Sequence, residues 1–156
     1  MTVIVMLMMI GANAGTLADG FRGHAFGPRS NLDLVDHLGC GPDEPPFALN
    51  CQSTVGGAPV ELLYLADDVE WYGVYIRCNN IPDCSRVIDA VEGMYGKSTR
   101  VIDGDDSKFG ARAWGDGGNI AAWRYDGVGH LVITDVAAKM RVDARAKDAS
   151  TKEGGL

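Results

Sequence analysis

The stretch PVELLYLADDVEWYGVYIRCNNIPDCSRVIDAVEGMYGK, from Pro59 to Lys97, is the part of the chain around which the rest can be arranged. In its first run Val60, Leu62, Tyr64 and Ala66 alternate with Glu61, Leu63 and Leu65. After Asp67-Asp68, Val69, Trp71, Gly73 and Tyr75 alternate with Glu70, Tyr72, Val74 and Ile76. Runs of β-branched and aromatic residues bounded by turn formers read as two strands. A two-residue loop at Asp67-Asp68 pairs Ala66 with Val69 and Tyr64 with Trp71. Asp-Asp is a poorer hairpin loop than Asn-Gly, so a shifted register stays open. Neither face of this hairpin is clearly polar, whereas a sheet covered on one side alternates more cleanly. The second face is therefore expected to be roofed by the N-terminal segment and the tail, or to meet a partner.

An amphipathic helix follows. Val87, Ile88, Val91, Met94 and Tyr95 form a stripe at helical spacing over Ser85–Tyr95. Asp83 or Ser85 is the expected cap after Pro82. Gly96 suits the left-handed stop, and Lys97 suits the negative end of the helix dipole.

Outward from this centre, the N-terminus reads as a leader. Residues Thr2–Ile10 are almost wholly apolar and are followed by Gly11-Ala12-Asn13-Ala14. That pattern predicts a secretory signal over 1–14, cut after Ala14, with a single domain over 15–150 and a flexible tail over 151–156. The apolar run is too short to span a membrane as a helix. The basic residue usual ahead of it is absent, so the expected translation start lies upstream of Met1. The alternative is a buried N-terminal strand. The predicted location is periplasmic or secreted.

Four cysteines fit an exported chain. Cys40 and Cys51 flank a Pro-rich loop, and Cys78 and Cys84 flank Asn79 to Asp83. In an oxidising compartment an even count reads as disulfides, and four cysteines allow three pairings. Pairing Cys40 with Cys51 and Cys78 with Cys84 is favoured, because each bridge closes a short local loop. The spacings do not match a zinc module.

The remaining elements follow from pattern and punctuation. Phe21–Gly27 reads as a short or edge strand, and Leu32–Leu38 as a short helix stopped by Gly39. Gln52–Ala58 leads into the hairpin. Ser98–Ile102 is extended, and Asp103–Gly110 is an exposed loop. Strands are expected at Ala111–Trp114, Ile120–Tyr125 and His130–Thr134, separated by glycine-rich turns. Val136–Lys147 carries a strand-like alternation of charge, but its Ala, Lys, Arg and Met favour helix. The expected fold class is α+β: an antiparallel sheet of about five strands, a central amphipathic helix on one face, and disulfide-stapled loops.

Composition narrows function. The chain has 156 residues, 46% hydrophobic and 22% charged, ordinary values for one globular domain. A net charge of −7 with 14 Lys+Arg argues against nucleic acid or an anionic membrane as partner. No G-x-S-x-G or phosphate-cradling glycine motif is present. His24, His37 and His130 are far apart in sequence, and nothing selects one of them. Asp103, Asp105 and Ser107 resemble the first half of a calcium loop. Lys108 stands at the glycine position, however, and Trp114 where the bidentate Glu belongs, so calcium is not expected. The sharpest candidate for function is a set of strand aromatics, Trp71, Tyr75, Trp123 and Tyr125. Exposed on an uncovered sheet face, they would form an interaction surface.

The order of features resembles a loose group of small exported bacterial proteins. The matching residues are Phe21-Arg22-Gly23 with Phe26-Gly27, Gly56 through Leu62 into Tyr64, Met94 through Thr99, Trp114, and Leu131 through Asp135. The resemblance implies a compact α+β module and supplies no catalytic residues. Three readings follow. The first is a non-enzymatic module that binds a protein or small ligand through a sheet face. The second is a hydrolase-like or metal-dependent enzyme in which His24, His37 or His130 meets a carboxylate in a cleft. The third is a structural homodimer that seals its own second face.

Overall fold

The computed structural model describes residues 17–101, 110–116 and 118–153. The predicted leader and the Asp103–Ser107 segment lie outside these residues. A 3-10 turn at Leu17–Asp19 precedes β1 (Gly27–Pro28), α1 (Arg29–Asp33), β2 (Cys40–Pro42), β3 (Phe47–Val55), β4 (Ala58–Ala66) and β5 (Glu70–Cys78). Then come α2 (Ile81–Tyr95), β6 (Arg100–Val101), β7 (Arg112–Asp116), β8 (Asn119–Tyr125), β9 (Gly129–Asp135) and α3 (Val136–Glu153).

The sheet is larger than five strands. Among the described residues eight strands lie in the order β2-β3-β4-β5-β9-β8-β7-β6, all antiparallel, and the two-residue β1 pairs with the start of β5. The extra strands come from the stretch read as a stapled loop and a lead-in. Gly56 and Gly57 have φ of +59° and +78° and join β3 to β4 with Val55 facing Ala58. A two-residue loop with both φ positive is the turn whose twist matches a hairpin, and two glycines meet it without strain. The β2 edge of the sheet is short, with three residues, which limits pairing with other chains there.

The β4–β5 register also differs from the expected one. Tyr64 faces Val74, Leu65 faces Gly73 and Ala66 faces Trp71, with an irregularity between Leu65 and Ala66. The turn is longer than two residues because Asp67 organises it. Its Oδ1 accepts from the N–H groups of Val69 and Glu70, each at 2.9 Å. The irregularity keeps Trp71 on the first face while moving Val74 and Ile76 there, so alternation from Val69 onward does not hold.

Helices flank the sheet on both faces, so α2 is not a central helix. On the first face Val87, Ile88 and Val91 of α2 join Val60, Leu62, Tyr64, Val74, Ile76, Leu131 and Ile133 in the main core. The N-terminal segment belongs to the same layer through Leu17, Phe21, Phe26, Leu32 and Val35. On the second face α3 presses Ala138 and Val142 onto Leu65 and Tyr72. The helix reading of the tail is right, and the helix runs on to Glu153. The α2 helix begins at Ile81 rather than Ser85. Its cap is Asn80, whose side chain accepts from the N–H of Asp83 at 2.9 Å.

The cysteines pair as 40 with 51 and 78 with 84. Cys40 and Cys51 are direct cross-strand neighbours on β2 and β3. The second bridge ties the end of β5 to the first turn of α2.

Candidate functional site

The second face of the sheet is only half covered. The α3 helix crosses the end where Leu65, Tyr72 and Thr134 lie. Two cross-strand rows lie beyond it, of which the first is partly closed, since Leu63 is buried and Val132 packs on the cluster under α3. The first runs Asn50, Leu63, Tyr75, Val132, Ala122 across β3, β4, β5, β9 and β8. The second runs Gln52, Glu61, Arg77, His130, Arg124. Opposed residues in an antiparallel sheet are side-chain neighbours, so the register alone places an aromatic beside a histidine and two arginines.

The side chains are tied into one array. Tyr75 Oη is hydrogen-bonded to His130 Nδ1, and His130 Nε2 lies 3.0 Å from Asp126 Oδ1. A single tautomer satisfies both contacts. The Tyr75 hydroxyl donates to Nδ1, and the Nε2–H donates to the carboxylate. Asn50 Nδ2 donates to Glu61 Oε1 at 2.9 Å, and Arg77 stands 3.7 Å from Glu61. Arg124 reaches Asp126 at 4.0 Å. The hydrogen bond from His130 holds the Asp126 carboxyl below its ordinary value, with help from Arg124. Burial pushes the Tyr75 phenol up, against the pull of Arg77 and Arg124. Tyr75 is thus held protonated at neutral pH, as a hydrogen-bond donor.

The array has the order carboxylate, histidine, hydroxyl. A nucleophilic triad also needs donors aimed at a developing oxyanion. Here the N–H groups of β5 and β9 are committed to the strand ladder. A raised phenol is also a weaker nucleophile than an ordinary one.

Of the four candidate surface aromatics, only Tyr75 lies on these two rows. Trp71 is 0% exposed, packed on Phe26 at 4.7 Å between ring centroids, with its indole N–H donating to the Ala25 carbonyl at 2.9 Å. Trp123 is 2% exposed in the main core, and Tyr125 packs at the margin of that core on the first face. The interaction-surface expectation is corrected for Trp71 and Trp123, which are buried, while Tyr125 is partly buried. Trp71 lies against Phe26 and Ala25 of the N-terminal segment, and the Trp123 ring lies beside Gly129. His24 and His37 belong to that N-terminal layer. The His37 ring packs edge-on to Tyr64 at 6.4 Å. Neither shares a site with His130. The calcium expectation at Asp103, Asp105 and Ser107 falls outside the described residues. Among the described residues, no three His, Cys, Asp or Glu side chains are grouped to hold a metal.

No known family, curated protein or solved structure matches this chain. No function is carried over from elsewhere, and the site rests on its own geometry.

Sequence reasoning missed Arg77, Arg124, Asp126 and Glu61 as a group. A signal was present, since Arg77 and His130 occupy outward positions of runs that are otherwise apolar. The strand order that makes β5 and β9 neighbours is not visible in the pattern.

Proposed function

We propose that this protein is an exported, disulfide-stapled α+β module that binds a partner through the open half of its second sheet face. The observation that carries this reading is the Tyr75–His130–Asp126 array, which lies beyond the part of β5 and β9 that α3 covers. An uncovered sheet face ordinarily carries independent solvated side chains. Here a half-buried tyrosine and histidine are preorganised by hydrogen bonds and flanked by Arg77 and Arg124. Preorganised side chains lose less entropy on binding. Tyrosine and arginine are also the residues most often found at the energetic centre of interfaces. The two cysteine pairs support an oxidising compartment.

The test is capture from the native periplasmic extract, read by mass spectrometry, with the wild type beside a Tyr75→Ala/Arg77→Glu variant. A protein retained by the wild type and lost by the folded variant is the expected result. Equal retention by both, or a strictly monomeric wild type that retains nothing, overturns the reading.

A hydrolase-like reading is the second, favoured by the same His130–Asp126 contact. It predicts turnover of simple ester substrates that His130→Gln abolishes. Wild-type protein that shows no turnover removes it.

A further inference from the structure

A groove of about 1020 Å³ lies between the Pro45-Pro46 loop, the β4–β5 turn and the second half of α3. It shares no residue with the two rows around Tyr75. Its volume is at the upper end of what ligand sites enclose. The deeper lining is apolar, with Phe47, Tyr72 and Val142. At its edge Val69 is 56% exposed beside Pro45 and Pro46. An apolar strip of this kind between a turn and a helix accommodates an apolar side chain from outside.

The charge around the strip is one-sided. Its two arginines are already engaged. Arg145 bonds Asp67 and Glu70 at 2.7 and 2.8 Å, and Arg29 donates to the Asp67 carbonyl at 2.8 Å. Asp143 is matched by Lys139 at 2.6 Å. Asp68 and Glu153 are exposed on opposite sides of the groove and have no ion-pair partner among the described residues. Asp43 adds a third carboxylate, which accepts from the N–H of Glu44. The carboxyl half of α3 lines the groove, and the negative end of a helix dipole lies there too. Five carboxylates line the groove (Asp43, Asp67, Asp68, Asp143 and Glu153) against two arginines, Arg29 and Arg145, so its charge is net negative.

We propose that the groove binds a segment of another exported protein in which basic residues flank an apolar side chain. The apolar group sits against Val69, Phe47 and Tyr72, and its lysines or arginines meet Asp68 on the turn and Glu153 on the helix. Such a contact strengthens as salt is lowered, because both carboxylates are exposed.

The proposal is tested on the whole folded chain by fluorescence anisotropy. The probe is a short, capped, labelled peptide that alternates lysine with leucine. Its counterpart has glutamate in place of lysine. The lysine peptide is expected to bind, more weakly at higher salt, and the glutamate peptide is not. Asp68→Lys/Glu153→Lys is expected to weaken binding by about tenfold or more, and Val69→Ser is expected to weaken it too. Asp89→Lys/Asp116→Lys makes the same change in net charge away from the groove, on α2 and β7, and is expected to leave binding nearly intact. Circular dichroism checks that each variant stays folded. Three results overturn the proposal: no binding of the lysine peptide, equal binding of the glutamate peptide, or equal weakening by the two charge-reversal pairs. A dimer in sedimentation that Ala146→Arg dissolves also overturns it, by placing a second copy in the groove. Failure here leaves the sheet-face reading standing, since Tyr75 and Arg77 line no part of this groove.

Discussion

Gly129 opens β9, and its place is set by what surrounds it. A Cβ built there would stand 2.3 Å from Cys78 Sγ, 2.4 Å from the Trp123 ring and 2.6 Å from Cys84 Sγ. None of these neighbours can yield easily. The sulfurs are bonded to each other, and Trp123 is held in the core. Gly129→Ala is therefore an overpacking change, expected to cost about 1–3 kcal/mol. Urea unfolding monitored by tryptophan fluorescence reads it as a lower midpoint with an unchanged slope. A variant as stable as the wild type would show that β9 has room to shift away from the bridge. The sequence shows only a Gly in a turn-like Asp-Gly-Val-Gly run. The contact with a disulfide closed more than forty residues earlier is a product of the strand order. The burial of Trp71 has the same origin, because its indole partner Ala25 lies in the N-terminal layer.

At the scale of elements, α3 shows how a helix of weak amphipathicity is held. Most of its side chains face water, and among them only Ala138 and Val142 are buried. It is fastened instead by arginines. Arg141 and Arg145 both reach the Glu70 carboxylate, and Arg145 also reaches Asp67. Val142→Asp would put a charge against Leu65 and Tyr72 and is expected to release the helix from the sheet. The main core, on the other face, is expected to survive. The readout is binding of a hydrophobic dye with retained tryptophan fluorescence. Loss of both signatures of folding together would show instead that α3 is part of one cooperative unit. The helix of the tail was legible in its composition, against a strand-like alternation of charge, and so were the three strands before it. The β3 strand was not read from the sequence, although Gly56-Gly57 between two apolar runs is a hairpin signal. The Pro-rich loop before it drew the whole segment into an irregular reading.

For the molecule as a whole, the turn between β4 and β5 is where the two layers meet. On one side the Arg29 N–H donates to the Val69 carbonyl at 2.9 Å, and the Arg29 side chain donates to the Asp67 carbonyl. On the other side α3 holds Asp67 and Glu70. The hydrogen bond from Arg141, then that from Arg145, keeps the Glu70 carboxyl below its ordinary value of 4.5, against the effect of burial. Burial raises the Asp67 carboxyl, but the Arg145 and backbone hydrogen bonds together bring it below its ordinary 3.8. A carboxyl depressed in the folded state stabilises fully above its unfolded value and ceases to do so as the pH falls through the folded one. Folding stability is thus expected to be level down to about pH 5 and to drop below it. Glu70→Gln is expected to lose about 1–3 kcal/mol near neutral pH and to show a shallower acid limb. Chemical denaturation at a series of pH values checks both. An unchanged acid limb in Glu70→Gln would place the sensitivity in other carboxylates.

What the amino-acid sequence determined by itself was local. The alternation in β4, the stripe of α2, the turn glycines and the cysteine spacings each report on neighbours within a few residues, and each was read from a short window. The tertiary structure decided what depends on distant partners. Strand order brought β9 beside β5 and so joined Tyr75 to His130. The irregularity at Ala66 reset which side chains of β5 face the core. The N-terminal layer buried Trp71, which alternation assigned to a hairpin face without saying what covers it. The physical reason is common to all three. Burial and cross-strand pairing are properties of pairs far apart in the chain, and a periodic pattern specifies a face without specifying what will cover it.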